Sequence, residues 1–305
     1  MVEHGTFKSF DGVKIAYYTI GNKKGMPVIL SNGLGGNIAA WASMIDALKD
    51  KYLFITWDYR GLYRSGMPYN MHTLTVPFQT KDLEILLEKL RIKKALFIGW
   101  SMGVQINFEF YRTHPDAFLG IIVLSGASGY PFETAKGLKG DAIRFMTLIL
   151  KHISSLDSKV VKAATELPFF FYLIKMLGLV AKPCSEQIFM NIIKDFRHLN
   201  FKVYFDSLFK LGEHSAEDVL TKIKVPTLIV VGEKDLFTPP PVAESMRNKI
   251  KHSELYVLPD ATHYALAEFP DSIIKKSIQF IKKHRLDKPK TEELKIVEKQ
   301  VTTLS

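Results

Sequence analysis

The chain has 305 residues, 47% of them hydrophobic and 24% charged, and this composition excludes a disordered or fibrous protein. The length suits one large domain with a sizeable core. The net charge of +10 does not indicate nucleic-acid binding, because the lysines are dispersed and the one dense cluster lies in the C-terminal tail. At most, the charge predicts a weak association with anionic membrane surfaces.

Three features predict a cytoplasmic protein. Cys184 is the single cysteine, so no internal disulfide can form, which suits a reducing compartment. Residues 1–12 lack the apolar segment of a signal peptide. The apolar stretch 168–181 is too short to span a membrane and carries Lys175.

Strands and helices alternate through most of the chain. The first two strands, at 6–10 and 13–19, flank Asp11-Gly12, a strong hairpin signal. Apolar strand runs separated by helices predict an α/β fold, in which a mostly parallel sheet with an antiparallel start is covered on both faces. The other predicted strands are 28–31, 53–57, 95–98, 121–125, 227–231 and 254–258, and the predicted helices are 39–49, 76–90, 104–113, 242–250 and 271–283.

The alternation stops between residues 131 and 215, where only helical patterns occur. We therefore predict a core of residues 1–130 and 216–285, an inserted helical cap of residues 131–215, and a polar tail of residues 286–305. The cap contains ten of the 21 phenylalanines. These rings either attach the cap to the core or, as their number favours, enclose an apolar pocket. Two helical stripes support the cap: Ile188, Phe189, Ile192, Ile193 and Phe196, then Phe201, Tyr204, Phe205, Leu208 and Phe209.

The pentapeptide Gly99-Trp100-Ser101-Met102-Gly103 lies between a predicted strand and a predicted helix. This context is typical of a nucleophile elbow, a tight turn that exposes the serine hydroxyl. The residues two before and two after the serine approach the turn closely, which explains the glycines. The following helix directs backbone N–H groups towards the serine.

A serine hydroxyl needs a base to remove its proton, and the base needs an acid to orient it. His263 follows the last predicted strand in a loop, which none of the other eight histidines does. Asp235 follows the strand 227–231 in a turn, with Glu233 as an alternative acid. Both loops lie at the carboxyl ends of strands, where parallel sheets bind ligands.

The loop Ser31-Asn32-Gly33-Leu34-Gly35-Gly36 follows the strand 28–31. The N–H groups of Leu34 and Met102 would form an oxyanion hole. A dinucleotide site would need a third glycine at position 38, which is Ile38. The scattered histidines lack ligand spacing, so we expect neither a metal nor a cofactor.

These motifs resemble those of the α/β-hydrolase family, in its serine hydrolase branch of capped esterases and lipases. The resemblance runs from about residue 7 to 284. It implies an eight-stranded sheet and the chain order serine, acid, histidine. Ser101 separates the chain from epoxide hydrolases and haloalkane dehalogenases, which carry aspartate at the elbow.

Other segments resemble the family with substitutions. The segment 58–65 is similar to Asp-x-Arg-Gly-x-Gly-x-Ser, with Tyr63 in place of the second glycine, and its Asp58 and Arg60 are expected to be structural. Asn32 stands where the family has histidine. Glu268 and Pro270 match a trailing Glu-x-Pro, interpreted as scaffold.

The sequence thus predicts a serine hydrolase with Ser101 as nucleophile, His263 as general base and Asp235 as the acid that orients it. The expected partner is a small carboxylic ester or thioester with an apolar acyl or aromatic part. Carbon–carbon bond hydrolysis or acyl transfer on the same three residues, and a ligand-binding signalling protein with little turnover, are the alternatives.

Overall fold

The computed structural model describes residues 2–130, 180–181, 184, 189–190, 195 and 198–287. In these residues, eight strands form one sheet in the order β1-β2-β4-β3-β5-β6-β7-β8. The strands are β1 (Val2–Lys8), β2 (Lys14–Gly21), β3 (Met26–Ser31), β4 (Tyr52–Trp57), β5 (Ala95–Trp100), β6 (Phe118–Leu124), β7 (Thr227–Gly232) and β8 (Ser253–Leu258).

The sheet begins antiparallel and continues parallel, as the sequence predicts. β2 pairs antiparallel with both β1 and β4, and the other neighbouring strands pair parallel. The carboxyl ends of β3, β5, β7 and β8 therefore meet at one edge of the sheet. In the register between β3 and β5, Ser31 lies opposite Gly99, so the loops that follow these strands begin side by side.

Helices cover both faces of the sheet. The residues of α2, α3 and α5 share a hydrophobic core with one face, and those of α1, α6 and α7 share a second core with the other. No helix in the described part of the chain is both long and apolar enough to cross a membrane. The described helices are α1 (Ala42–Leu48), α2 (Val76–Leu90), α3 (Met102–Thr113), α4 (Phe201–Glu213), α5 (Pro240–Lys249), α6 (Ala265–Glu268) and α7 (Pro270–Lys283).

The period of two along β5 divides its side chains between these cores. Ala95 and Phe97 belong to the first core, whereas Leu96 and Ile98 belong to the second. Every residue of β5 is buried. This explains why the strand reads as a continuous apolar run rather than an alternating one.

Helix α2 has the bounds that the sequence predicts, 76–90. It starts with a proline in its first turn and ends at Arg91, whose left-handed backbone (φ 55°) lets its N–H bind the carbonyl oxygen of Leu87. The predicted helix 39–49 is instead divided into a 3₁₀ turn at Ile38–Trp41 and α1. The short helix α6 is absent from the sequence prediction.

The predicted stripe on α4 lies against the first core, on which Tyr204, Phe205 and Leu208 pack. Of its members only Phe201 is buried, while Tyr204, Phe205, Leu208 and Phe209 are half-buried. Val203 is buried as well, against Gly61, and the polar Asp206 is buried with Lys210 paired to it at 2.6 Å. The other buried residues of α4 are Ser207 and Leu211.

The predicted boundaries of the cap meet in space. Gly129 and Ser215 form an isolated antiparallel bridge, and the Ala216 N–H donates to the Ser128 carbonyl oxygen at 2.8 Å. Residues 131–179 lie outside the described residues, as do the twelve residues 182–183, 185–188, 191–194 and 196–197, which include every member of the first stripe except Phe189. The cap therefore stays a prediction.

The core continues past the predicted start of the tail at residue 286. Leu286 is buried in the second core, next to Gly120, and Asp287 forms an ion pair with Lys51 at 2.6 Å. Residues 288–305 lie outside the described residues.

Candidate active site

Ser101 occupies the sharp turn between β5 and α3. Its backbone angles, φ 53° and ψ −116°, are strained for a residue with a side chain. A Cβ atom at position 103 would lie 2.0 Å from the carbonyl oxygen of Ser31, and one at position 99 would lie 2.8 Å from that of Gly103. Both positions therefore require glycine, as the sequence predicts for the elbow.

His263 lies in the loop after β8 and reaches the serine. Its Nε2 atom is 2.9 Å from the Ser101 Oγ atom. The indole N–H of Trp100 donates to the His263 backbone carbonyl at 3.1 Å and holds this loop against the elbow. Among the described residues, only His263 lies within hydrogen-bond distance of the Ser101 side chain.

Asp235 lies in the turn after β7, on the opposite side of the imidazole. Its two carboxylate oxygens are 3.1 and 3.0 Å from His263 Nδ1. Burial by itself raises the pKa of this carboxyl, but the His263 imidazole and hydrogen bonds from His263 and Thr238 lower it by more. The pKa of Asp235 is thus below its usual value, and the group is ionised at neutral pH.

Thr238, which the sequence analysis missed, positions this carboxylate. Its backbone N–H and its hydroxyl each donate to Asp235 at 2.9 Å, and the Phe237 N–H donates at 2.9 Å as well. In the sequence, the only indication of this role is that a threonine lies three residues after Asp235, within reach of its carboxylate. The carboxylate therefore has little freedom to turn away from His263.

Glu233 does not compete with Asp235 for the histidine. It is exposed, and its carboxylate accepts a hydrogen bond from the Asp260 N–H at 3.0 Å. This contact connects the turn after β7 to the one after β8. Of the two acids that the sequence left open, the structure brings only Asp235 to His263.

Glu268 holds the loop that carries His263 through hydrogen bonds to Thr262, the residue before the histidine. It is buried and accepts hydrogen bonds from the backbone N–H and the hydroxyl of Thr262, at 2.7 and 2.6 Å. It also accepts one at 2.7 Å from the N–H of Ala181, in the predicted cap. The contacts fit the scaffold role that the sequence indicates and connect His263 to the cap segment.

The loop after β3 lies against the start of α3. A turn closes from the Gly36 N–H to the Gly33 carbonyl oxygen at 2.9 Å, with Gly35 at φ 76°. A Cβ atom at position 33 or 36 would lie 2.9 Å from the Trp100 ring. Leu34 lies in this turn and is half-buried. Met102 is the first residue of α3, so the Met102 N–H has no acceptor within the helix.

Asn32 anchors the same loop from inside the protein. Its side-chain oxygen accepts from the Trp41 indole at 2.7 Å, and its amide nitrogen donates to the Trp57 carbonyl oxygen at 3.0 Å. The side chain is therefore committed to the scaffold. Asn32, which replaces the family's histidine, therefore still supports the backbone of the loop.

Asp58 and Arg60 are structural, as expected. Arg60 is fully buried, and its guanidinium pairs with Asp82 at 2.6 Å and with Asp11 at 2.8 Å. Asp58 accepts a hydrogen bond from the Tyr18 hydroxyl at 2.7 Å, and its buried Oδ1 atom has no hydrogen-bond partner among the described residues. Burial raises the pKa of Asp58 to about 6 in spite of Tyr18 and Arg64.

Replacing Asp58 by asparagine should remove a pH-dependent part of the free energy of unfolding. Its carboxyl titrates near 3.8 in the unfolded chain and at about 6 in the folded protein. Between these two pH values the folded state binds more protons than the unfolded chain does. The contribution of Asp58 to stability therefore falls as pH rises and is constant above about pH 6. The difference between the folded and unfolded pKa values of Asp58 corresponds to about 3 kcal/mol in the free energy of unfolding.

Urea unfolding of both proteins at several pH values checks this. Between about pH 4 and about pH 7, the free energy of unfolding of Asp58→Asn should rise by up to about 3 kcal/mol relative to that of the wild type. A difference that does not change with pH would contradict the expectation.

Comparisons with known proteins agree with the fold. The model of the alpha/beta hydrolase fold family matches residues 26–270. The chain is 26% identical over 261 residues to 3-oxoadipate enol-lactonase 2 of Acinetobacter baylyi, covering 85% of this chain and 90% of that one. It is 25% identical over 289 residues to a proline iminopeptidase of Saccharolobus solfataricus, covering 92% of each chain.

A solved structure shows the same architecture. An esterase of Exiguobacterium antarcticum superposes with a TM-score of 0.74 at 22% identity, covering 91% of this chain and 98% of that one. The family model spans most of the sheet and all three of the side chains that converge at its edge. The chain belongs to the alpha/beta hydrolase fold family and is a hydrolase.

Proposed function

We propose that the protein is a serine hydrolase that cleaves a carboxylic ester or thioester through an acyl-enzyme. The observation that carries the proposal is the continuous contact from Ser101 Oγ to His263 Nε2 at 2.9 Å and from His263 Nδ1 to Asp235 at 3.0 Å. A hydroxyl, an imidazole and a carboxylate in this order form a nucleophile, its base and the group that orients the base.

In the acylation step, His263 Nε2 takes the hydroxyl proton while Ser101 Oγ attacks the ester carbonyl carbon. The carbonyl oxygen becomes an oxyanion, to which the N–H groups of Leu34 and Met102 would donate. His263 then gives the proton to the leaving alkoxide or thiolate, the carbon–oxygen or carbon–sulfur bond breaks, and the acyl group stays on Ser101.

In the deacylation step, water replaces the alcohol. His263 removes a proton from the water molecule as its oxygen attacks the acyl carbon. Collapse of the second tetrahedral intermediate releases the carboxylic acid, and the proton returns from His263 to Ser101 Oγ. The enzyme is thereby regenerated.

Replacing Asp235 by asparagine should reduce kcat by about four orders of magnitude. An amide can donate to Nδ1, which favours the tautomer with its proton on Nε2, and this tautomer cannot accept the serine proton. Glu233→Gln is the matched control, because Glu233 is an acid of the same turn that contacts Asp260 rather than His263. Steady-state hydrolysis of p-nitrophenyl butyrate measures both variants, and equal activities in the two would contradict the assignment.

Aromatic and apolar groups around the site support an apolar substrate. The ring centroids of Phe237, Tyr264 and Trp100 lie 5.1, 6.0 and 6.2 Å from that of His263. Phe237 is also 38% exposed, so part of its ring is available to a ligand. The relative from Acinetobacter baylyi is by its name an enol-lactonase, and a lactone is a cyclic ester. A panel of esters, thioesters and lactones tests the proposed substrate class with the purified protein.

The rate should rise with acyl length. Each methylene that enters an apolar pocket contributes up to about 0.8 kcal/mol, or about a fourfold rise in kcat/KM. We therefore expect p-nitrophenyl esters to improve from acetate to about hexanoate. A flat or falling series from acetate to octanoate would rule out the apolar acyl pocket without affecting the roles of Ser101, His263 and Asp235.

A further inference from the structure

Tyr63 has a backbone conformation that residues with a side chain rarely adopt. Its φ angle is 49°, in the left-handed region where a β-carbon is crowded. The family loop that this segment resembles has glycine at the same position, where the conformation costs nothing. A strained tyrosine in place of a relaxed glycine suggests that the side chain has a role.

The side chain of Tyr63 reaches the turn that follows β3. Its hydroxyl donates a hydrogen bond to the carbonyl oxygen of Gly35. This carbonyl belongs to the peptide between Gly35 and Gly36, whose N–H closes the turn on the Gly33 carbonyl oxygen at 2.9 Å. Tyr63 therefore holds from one side the same peptide plane that the turn holds from the other.

This turn needs an external contact because of its composition. Three of its four residues are glycines, which have the largest backbone freedom of any residue. The fourth is Leu34, whose N–H is one of the two proposed oxyanion donors. A donor stabilises a transition state only if it is aimed in advance. The Gly33 carbonyl and the Leu34 N–H belong to one peptide plane, so a rotation of the Gly35–Gly36 peptide that broke the hydrogen bond from the Gly36 N–H to the Gly33 carbonyl would free the Leu34 amide to turn away.

The hydroxyl of Tyr63 remains a donor over the working pH range. Burial and the nearby carboxylates of Asp195 and Asp58 raise the pKa of Tyr63. The phenol therefore keeps its proton and can donate to the Gly35 carbonyl under the conditions of an esterase assay.

We infer that Tyr63 is a positioning residue for the oxyanion loop, acting through the hydrogen bond from its hydroxyl to the Gly35 carbonyl. The inference rests on the proposed function, since it assigns Tyr63 to the same reaction. It adds a residue that acts through the loop rather than on the reacting atoms, and that determines where the Leu34 N–H points.

The test compares the full-length wild type with Tyr63→Phe, which removes the hydroxyl and keeps the ring. Two rates are measured at least 20 °C below the Tm of each protein: hydrolysis of p-nitrophenyl butyrate and covalent labelling of Ser101 by a fluorophosphonate. We expect kcat to fall about 10- to 100-fold with KM within about twofold. Labelling should slow by a similar factor, and Tm should hardly change.

Two further variants make the result specific. Tyr111→Phe is the matched control: its hydroxyl accepts a hydrogen bond from the Lys224 N–H at 3.0 Å, about 14 Å along α3 from Met102, and its rates should equal those of the wild type. Tyr63→Gly relieves the positive φ but lacks the hydroxyl, so it should be as slow as Tyr63→Phe.

Two outcomes would overturn the inference while leaving the proposed function in place. One is a wild type that labels and hydrolyses while Tyr63→Phe keeps both rates within about twofold of it. The other is a loss that appears in KM alone, because a contact that only binds substrate does not change kcat. If the wild type neither labels nor hydrolyses any ester, the proposed function fails, and the role of Tyr63 with it.

Discussion

Replacing Ser101 by alanine should reduce kcat for ester hydrolysis by about three to six orders of magnitude. The variant keeps the β-carbon, and therefore the backbone strain of the elbow, but has no oxygen to attack the carbonyl. Only the oxyanion donors and substrate binding would still favour the reaction. Hydrolysis of p-nitrophenyl esters and labelling by a fluorophosphonate, followed by intact-protein mass spectrometry, measure the loss.

Ser253→Ala is the control for this variant. Ser253 begins β8, at the opposite edge of the sheet, where its hydroxyl donates to the Ile250 carbonyl oxygen at 2.7 Å. This variant should hydrolyse and label as the wild type does. A Ser101→Ala protein that kept more than about a tenth of the wild-type kcat would show that another group is the nucleophile.

Replacing His263 by glutamine should cost about four to six orders of magnitude in kcat. Glutamine can keep hydrogen bonds to Asp235 and Ser101, but its amide cannot take up the serine proton at any working pH. The double variant Ser101→Ala/His263→Gln should be about as slow as either single variant, since the two groups act in one step and their losses do not add.

His114→Gln is the matched histidine control, because the His114 ring pairs with Glu84 at 3.3 Å, beyond the carboxyl end of α3. It should leave kcat unchanged. If the losses of Ser101→Ala and His263→Gln multiplied in the double variant, the two residues would not share a proton-transfer step, and the assignment of His263 as the base would be wrong.

Much of the candidate site can be predicted from the sequence because its constraints are local. The elbow requires glycine at 99 and 103, since a Cβ atom at either position would collide with backbone. The order of strands and helices follows from apolar periodicity, and it places Asp235 and His263 in loops after β7 and β8. Parallel pairing then brings those loops to one edge of the sheet.

Other features depend on contacts between distant segments, which periodicity does not encode. The sequence left Asp235 and Glu233 as alternatives two residues apart, and their separation follows from the turns, which direct Glu233 to Asp260 and Asp235 to His263. The hydrogen bond from Tyr63 to Gly35 joins loops 28 residues apart. In the sequence, this contact is indicated only by Tyr63 standing where the family loop has glycine.

The α/β architecture, the strained serine and the two loops that carry Asp235 and His263 thus follow from local patterns, because they depend on side-chain period, glycine sterics and strand direction. The acid that faces the imidazole, and the contacts by which Thr238, Glu268 and Tyr63 hold the site in place, are defined by the three-dimensional packing of segments far apart in the chain. Hydrogen bonds between loops form or fail with differences in distance of a few tenths of an ångström. Such distances are set by the packing of the whole core rather than by neighbouring residues.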